Sequence, residues 1–201
     1  MNSPIIGAPE DGVTEQIQSP PPIIYSLGID LSLTGTGVTS IGTDGIKSEL
    51  IKSSGKRGDS LADRDWRLRV LMNRILLHAD MLSTESVVVI EQPAYSQTAG
   101  SHHDRSGLWW LIVHELISAD YRVVEVSPSS LKKYATGKGN AAKDAVLAAV
   151  VKRYPHADVT DNNVADSLVL AAMGARHLEH PIEESLPVSH GEALTKVRWA
   201  A

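Results

Sequence analysis

The chain contains no cysteine. That absence excludes a disulfide framework, a thiolate zinc site and a cysteine nucleophile, and leaves carboxylates, histidines, hydroxyls and amines for any chemistry. There is also no apolar run near the roughly eighteen residues a bilayer span requires, and no basic flank followed by an apolar stretch at the start. A cytoplasmic protein with no membrane partner is the expectation. The net charge of −5 shows no overall excess of Lys and Arg. Locally the balance reverses: between Arg122 and Arg153, Lys132, Lys133, Lys138, Lys143 and Lys152 join the two arginines against only Glu125 and Asp144. Such a stretch can meet phosphates, although a solvated basic face has the same composition. At 201 residues and 42% hydrophobic content the chain can bury one good core.

Residues 1 to 21 are rich in Pro, Gly, Ser and Gln and end in Ser19-Pro20-Pro21, a composition that cannot repay the entropy of ordering. They are read as a disordered extension. A domain from 22 to 180 follows, and 181 to 201 reads as a C-terminal tail of similar character, within which Ala193 to Trp199 is apolar enough to dock. Inside the domain, Ile23–Ile29, Val38–Gly42 and Ile46–Ser53 have strand character, with a hairpin turn at Asp44-Gly45. Leu68, Leu71, Met72, Ile75 and Leu76 recur at helical spacing within a predicted helix from Leu61 to Met81. Val87–Ile90 is a continuous β-branched run, the mark of a strand covered on both faces. Helices over 106–121, 141–154 and 162–177, with a strand at 122–126, complete the order βββαβαβαα. This implies an α/β fold: a mixed sheet of five strands with helices on both faces.

Three acids stand out. Asp30 closes the first strand and Glu91 the fourth, each straight after an apolar run. Sites in such sheets form at the carboxyl ends of strands, and a half-buried carboxylate there needs a cation, a proton or a metal. Alone, either acid would also suit a strand-end residue paired with Arg or backbone amides. Asp166 lies within the apolar segment Val164–Ala172 and is the only acid between Asp161 and Glu179, so its side of that helix should face a polar pocket. Three carboxylates from separate segments suit hard, oxygen-seeking Mg²⁺ ions, which clamp the attacking and leaving oxygens of a phosphodiester.

The motifs Gly28-Ile29-Asp30-Leu31-Ser32-Leu33-Thr34-Gly35-Thr36-Gly37-Val38, Ile90-Glu91-Gln92 and Ala165-Asp166-Ser167-Leu168-Val169-Leu170-Ala171 resemble, in order and spacing, the RuvC family of Holliday junction resolvases. The resemblance spans about Ile23 to Gly174 and implies an RNase H-like fold, a structure-selective DNA endonuclease and a homodimer. It further implies Mg²⁺, with Mn²⁺ as substitute, as two ions per active site, and paired symmetric nicks leaving 5′-phosphate and 3′-hydroxyl ends. Its natural setting would be a bacterial cell or a phage-infected host. Lys132 and Lys143 fall where the family places lysines needed for cleavage, Lys143 on the scissile phosphate and Lys132 on the backbone. The family's fourth metal-site residue, three positions before the helix acid, is an Asp or His, whereas here it is Asn163. Three residues back on a helix is about 60° around the axis, so Asn163 can offer a neutral carbonyl oxygen. Asp161 reads instead as the helix N-cap.

Gln92 to Arg105 lacks periodicity and reads as a loop over the site. The family stacks an aromatic residue on unpaired bases shortly after the glutamate, and Tyr95 is the nearest candidate; Arg105 and Lys133 are further expected DNA contacts. His102-His103 lacks a third ligand at metal spacing and reads as polar loop. Lys143 is expected in a first helical turn after an Asn140 cap. Trp109-Trp110 opens an unusually apolar helix, explained by core packing and by a two-fold interface that would set two active sites on opposed strands of a four-way junction. A flap or branched-DNA nuclease would keep the same acids. A non-catalytic nucleic-acid-binding module is a further alternative, raised by Asn163. An actin-like or sugar-kinase ATPase would need a second glycine-rich phosphate loop that the chain lacks.

Overall fold

A computed structural model describes residues 23–93 and 102–199. The 1–21 extension and Tyr95 lie outside the described residues. Strands β1 (Ile24–Asp30), β2 (Gly35–Gly42) and β3 (Gly45–Lys52) form an antiparallel meander, with Gly45 supplying the positive φ of its second turn. Helix α1 (Leu61–Leu76) follows and carries a reciprocal Ser60–Asp63 capping box. Then come β4 (Leu82–Glu91), α2 (His102–Ser118) and β5 (Arg122–Val126). The strand order is β3-β2-β1-β4-β5, with β4 parallel to both β1 and β5. Helices α3 (Pro128–Thr136), α4 (Lys143–Arg153), α5 (Asn162–His177) and the short α6 (Val188–Gly191) complete the chain. The mixed five-stranded sheet with helices on both faces is the architecture the sequence implied.

Period-two alternation divides the sheet between two cores. Leu27, Ile29, Val88 and Ile90 pack with Leu71, Ile75, Leu108 and Ile112 of α1 and α2. Val87, Val89, Val124 and Val126 face the other way, toward α3, α4 and α5. Asp30 and Glu91 share the parity of this second set, so their side chains emerge on the α5 side at adjoining ends of two parallel strands. Helix α5 is buried almost all round; each of Leu168, Val169 and Leu170 is fully enclosed and contributes about 1.5–3 kcal/mol by leaving water.

Five local expectations are corrected. Helix α1 ends at Leu76 rather than Met81. Helix α2 begins at His102, so His102, His103 and Arg105 are helical rather than in a loop. Helix α3 is additional; Ser127 caps it by accepting from the Ser130 amide, and Pro128 fits its first turn. Helix α4 starts at Lys143 after Ala142, which offers no side-chain cap, while Asn140 lies in the preceding turn. Finally, the segment from 181 is docked rather than loose: Ala193 is fully buried and Ile182, Leu186, Leu194 and Trp199 pack on the core. Glu183 anchors it, accepting hydrogen bonds from the Tyr134 and Tyr154 hydroxyls and pairing with Arg176 at 2.8 Å. Among the described residues no helix is long and apolar enough to cross a membrane.

Candidate active site

Close approach of α5 to the sheet brings the acids together. A Cβ on Gly28 would lie 2.1 Å from the Ser167 carbonyl oxygen and 2.4 Å from the Ala171 nitrogen; one on Gly37 would lie 2.0 Å from the Asn163 carbonyl oxygen. Only glycine leaves room for the helix backbone at these two points. Thr39 and Ser167 exchange a buried hydroxyl hydrogen bond of 2.8 Å, which ties β2 to the residue after Asp166. The Gly-x-Asp spacing of β1 therefore has a mechanical meaning: Gly28 seats α5, and Asp30, two residues on along the same face, meets what α5 carries.

Asp30, Glu91, Asp166, Asn163, Lys132, Lys143 and Arg105 all line one cleft of about 290 Å³. Leu31, Pro93, Trp109, Leu131 and Val146 give it apolar walls. Asp30 is held well above the usual carboxylate range, first by burial and then by the neighbouring Glu91 carboxyl. Glu91 is raised by burial and by Asp166. Asp166 is pushed up to about 7 by burial and by Asp30. Lys143 opposes all three shifts, and Lys132 opposes those of Glu91 and Asp166. The cleft thus concentrates carboxylates whose charge Lys143 and Lys132 offset in part.

An all-oxygen, mutually repelling donor set of this kind fits hard divalent cations, whose binding would relieve the repulsion. As placed, no three carboxylate or imidazole groups among the described residues are gathered closely enough to ligate one ion. Asp161 is occupied as the N-cap of α5, its Oδ1 accepting from the Val164 amide at 2.9 Å. Asn163 is the residue of that first turn that lines the cleft.

Lys143 stands at the positive end of an uncapped helix, an unfavourable position that the facing acids offset. Lys133 is absent from the cleft. It pairs with Glu192 of the docked C-terminal segment at 2.7 Å, because neighbours on a helix point about 100° apart and only Lys132 can turn inward. The two tryptophans separate: Trp109 is 8% exposed and lines the cleft, whereas Trp110 is 65% exposed. Sequence reasoning assigned Trp109 only to packing or an interface. Its spacing of four from Arg105 marks a shared helix face, a signal that becomes readable once α2 starts at His102.

No protein-family profile matches the chain. It is 27% identical over 175 residues to the crossover junction endodeoxyribonuclease RuvC of Rhodopirellula baltica, covering 80% of this chain and 90% of that one. Among solved structures, Thermus thermophilus RuvC in complex with a Holliday junction substrate aligns with a TM-score of 0.58 at 16% identity, over 79% of this chain and 97% of that one. The yeast mitochondrial Holliday junction resolvase aligns with a TM-score of 0.52 at 13% identity, over 81% of this chain and 82% of that one. These alignments establish the shared RNase H-like fold. Over most of its length the chain is thus similar in sequence to a RuvC crossover junction endodeoxyribonuclease, and in fold to solved Holliday junction resolvases.

Proposed function

We propose that this chain is a metal-dependent, structure-selective DNA endonuclease that resolves four-way junctions by paired symmetric nicks. The observation that carries the reading is the single cleft in which Asp30, Glu91 and Asp166 face Lys132 and Lys143. Asp30, Glu91 and Asp166 would hold Mg²⁺, or Mn²⁺ in its place, as two ions, with Asn163 as a neutral helper. When bound, such cations offset the negative charge that develops on a scissile phosphate. The carboxylates would orient a water for in-line attack on phosphorus, its proton passing through solvent to the departing 3′ oxygen. The new P–O bond forms as the bond to the 3′ oxygen breaks, leaving a 5′-phosphate and a 3′-hydroxyl. Lys143 lines the cleft with the acids, where its ammonium would stabilise the phosphate oxygens, and Lys132 and Arg105, lining the same cleft, would hold the strand backbone. Tyr95 remains the candidate for stacking on an unpaired base.

The exposed apolar face of α2, with Trp110, Leu111 and Ile117, suits a homodimer. A two-fold dimer sets two clefts on opposed strands, the geometry paired nicking requires. A cytoplasmic setting in a bacterial cell or phage-infected host, with access to DNA, goes with this reading. End-labelled four-way junction, flap, single-stranded and linear duplex DNA, each incubated with Mg²⁺, test the assignment. Symmetric nicks on the junction alone are expected. Preferential flap cutting would reassign the substrate, and no cleavage of any DNA would overturn the enzyme reading.

A further inference from the structure

The strand that delivers Glu91 ends at that residue, and an unpaired strand end is free to rotate about its last backbone bonds. Here the peptide between Glu91 and Gln92 is held on both sides. Its N–H, that of Gln92, donates to the Val126 carbonyl at 2.8 Å, and its carbonyl, that of Glu91, accepts from the Trp109 indole Nε1 at 3.0 Å. The next residue, Pro93, has no N–H with which to continue a ladder. Trp109 itself has little freedom: it is 8% exposed, its helix is anchored by the fully buried Leu108 and Ile112, and its ring meets that of Trp110 edge-on at 4.8 Å.

We propose that Trp109 is a positioning residue for Glu91: its indole N–H fixes the last peptide plane of β4 and so aims the Glu91 carboxylate into the cleft. This inference rests on the metal-dependent reading above. It assigns the tryptophan a role distinct from packing, because the ring could fill its space without donating a hydrogen bond. Trp109→Phe removes the donor and keeps an aromatic ring, smaller than the indole, and a part-buried carbonyl left without its partner relaxes toward other orientations.

Full-length wild type, Trp109→Phe and the exposed-site control Trp66→Phe would be compared in two assays. One follows Mn²⁺ binding through the electron paramagnetic resonance signal of the free ion; the other follows single-turnover cleavage of a four-way junction. Trp109→Phe is expected to weaken Mn²⁺ binding and slow cleavage by severalfold to about tenfold, the scale of one hydrogen bond, with junction affinity and far-ultraviolet circular dichroism unchanged. Trp66→Phe should match wild type throughout. Unchanged Mn²⁺ affinity in Trp109→Phe overturns the inference, whether or not its melting temperature falls. If the wild type cuts no DNA, the proposed function fails, while the Mn²⁺ measurement still decides the role of Trp109.

Discussion

Gly28 and Ser167 touch backbone to backbone: a Cβ on the glycine would sit 2.1 Å from the serine carbonyl oxygen, one residue beyond Asp166. The position of one acid relative to another is therefore set by the absence of a side chain. Gly28→Ala must push α5 off β1, because both close atoms belong to the helix backbone and neither can rotate away. Overpacking of this kind costs about 1–3 kcal/mol and sometimes more. The expected result is a lower melting temperature, with cleavage reduced far beyond the loss of folded protein when assayed well below the transition. A Gly28→Ala protein with wild-type cleavage would show that the site does not depend on this contact.

The metal-free protein should lose stability as pH rises. Asp166 is raised from 3.8 to about 7 in the fold, chiefly by burial and then by Asp30. Its contribution is fully present below the unfolded pKa and is lost as pH climbs through the folded one. Across that interval the folded state binds more protons, which gives a slope of up to about 1.4 kcal/mol per pH unit. Asp30 and Glu91, also raised, act in the same direction. Asp166→Asn should accordingly be more stable than wild type at pH 8 without metal, and the gap should narrow at pH 5. Added divalent cation should restore the wild type at pH 8. Denaturant unfolding at the two pH values measures this, and equal pH dependence in both proteins would contradict it.

Glu183 should matter more to stability than any exposed ion pair. It joins Tyr134 of α3, Tyr154 at the end of α4 and Arg176 of α5, the three helices that carry Lys132, Lys143 and Asp166. Removing one partner of a buried ionic network costs about 3–5 kcal/mol. Urea unfolding of Glu183→Ala should show a loss of this size, and deletion of residues 181–201 a larger one, because it also strips Ile182, Leu186, Leu194 and Trp199 from the core. Lys133→Ala, which breaks an exposed pair with Glu192, should cost under about 1 kcal/mol. Similar small losses for both substitutions would refute the anchoring role.

Much of this arrangement was legible in the sequence wherever a local pattern reported burial. The β-branched run before Glu91, the apolar run before Asp30 and the lone acid of α5 each placed an acid correctly at an element end or on an enclosed helix. Helix α3 was harder, because its apolar positions Leu131, Tyr134 and Ala135 span a little over one turn. Without it Lys133 read as a further DNA contact beside Lys132, although only Lys132 lines the cleft. Docking of the C-terminal segment was legible only at Ala193 to Trp199, since the charged and proline-rich residues before it find partners distant along the chain, Glu183 with Tyr134 for one. Asn163 was correctly separated from Asp161, because three residues back from Asp166 shares its helix side while five back does not.

The central claim is that Asp30, Glu91 and Asp166 act together as one cation-dependent centre for phosphodiester hydrolysis. Single-turnover cleavage of a four-way junction in Mg²⁺, by wild type and by Asp30→Asn, Glu91→Gln and Asp166→Asn, tests it most directly, with junction binding measured alongside. Groups that act as a unit lose nearly everything with the first removal, so each variant should fall by about a thousandfold or more while still binding the junction. The double variant Asp30→Asn/Asp166→Asn should be little worse than either single one. Cleavage within tenfold of wild type in any of the three, or by the wild type in excess chelator, would contradict the account.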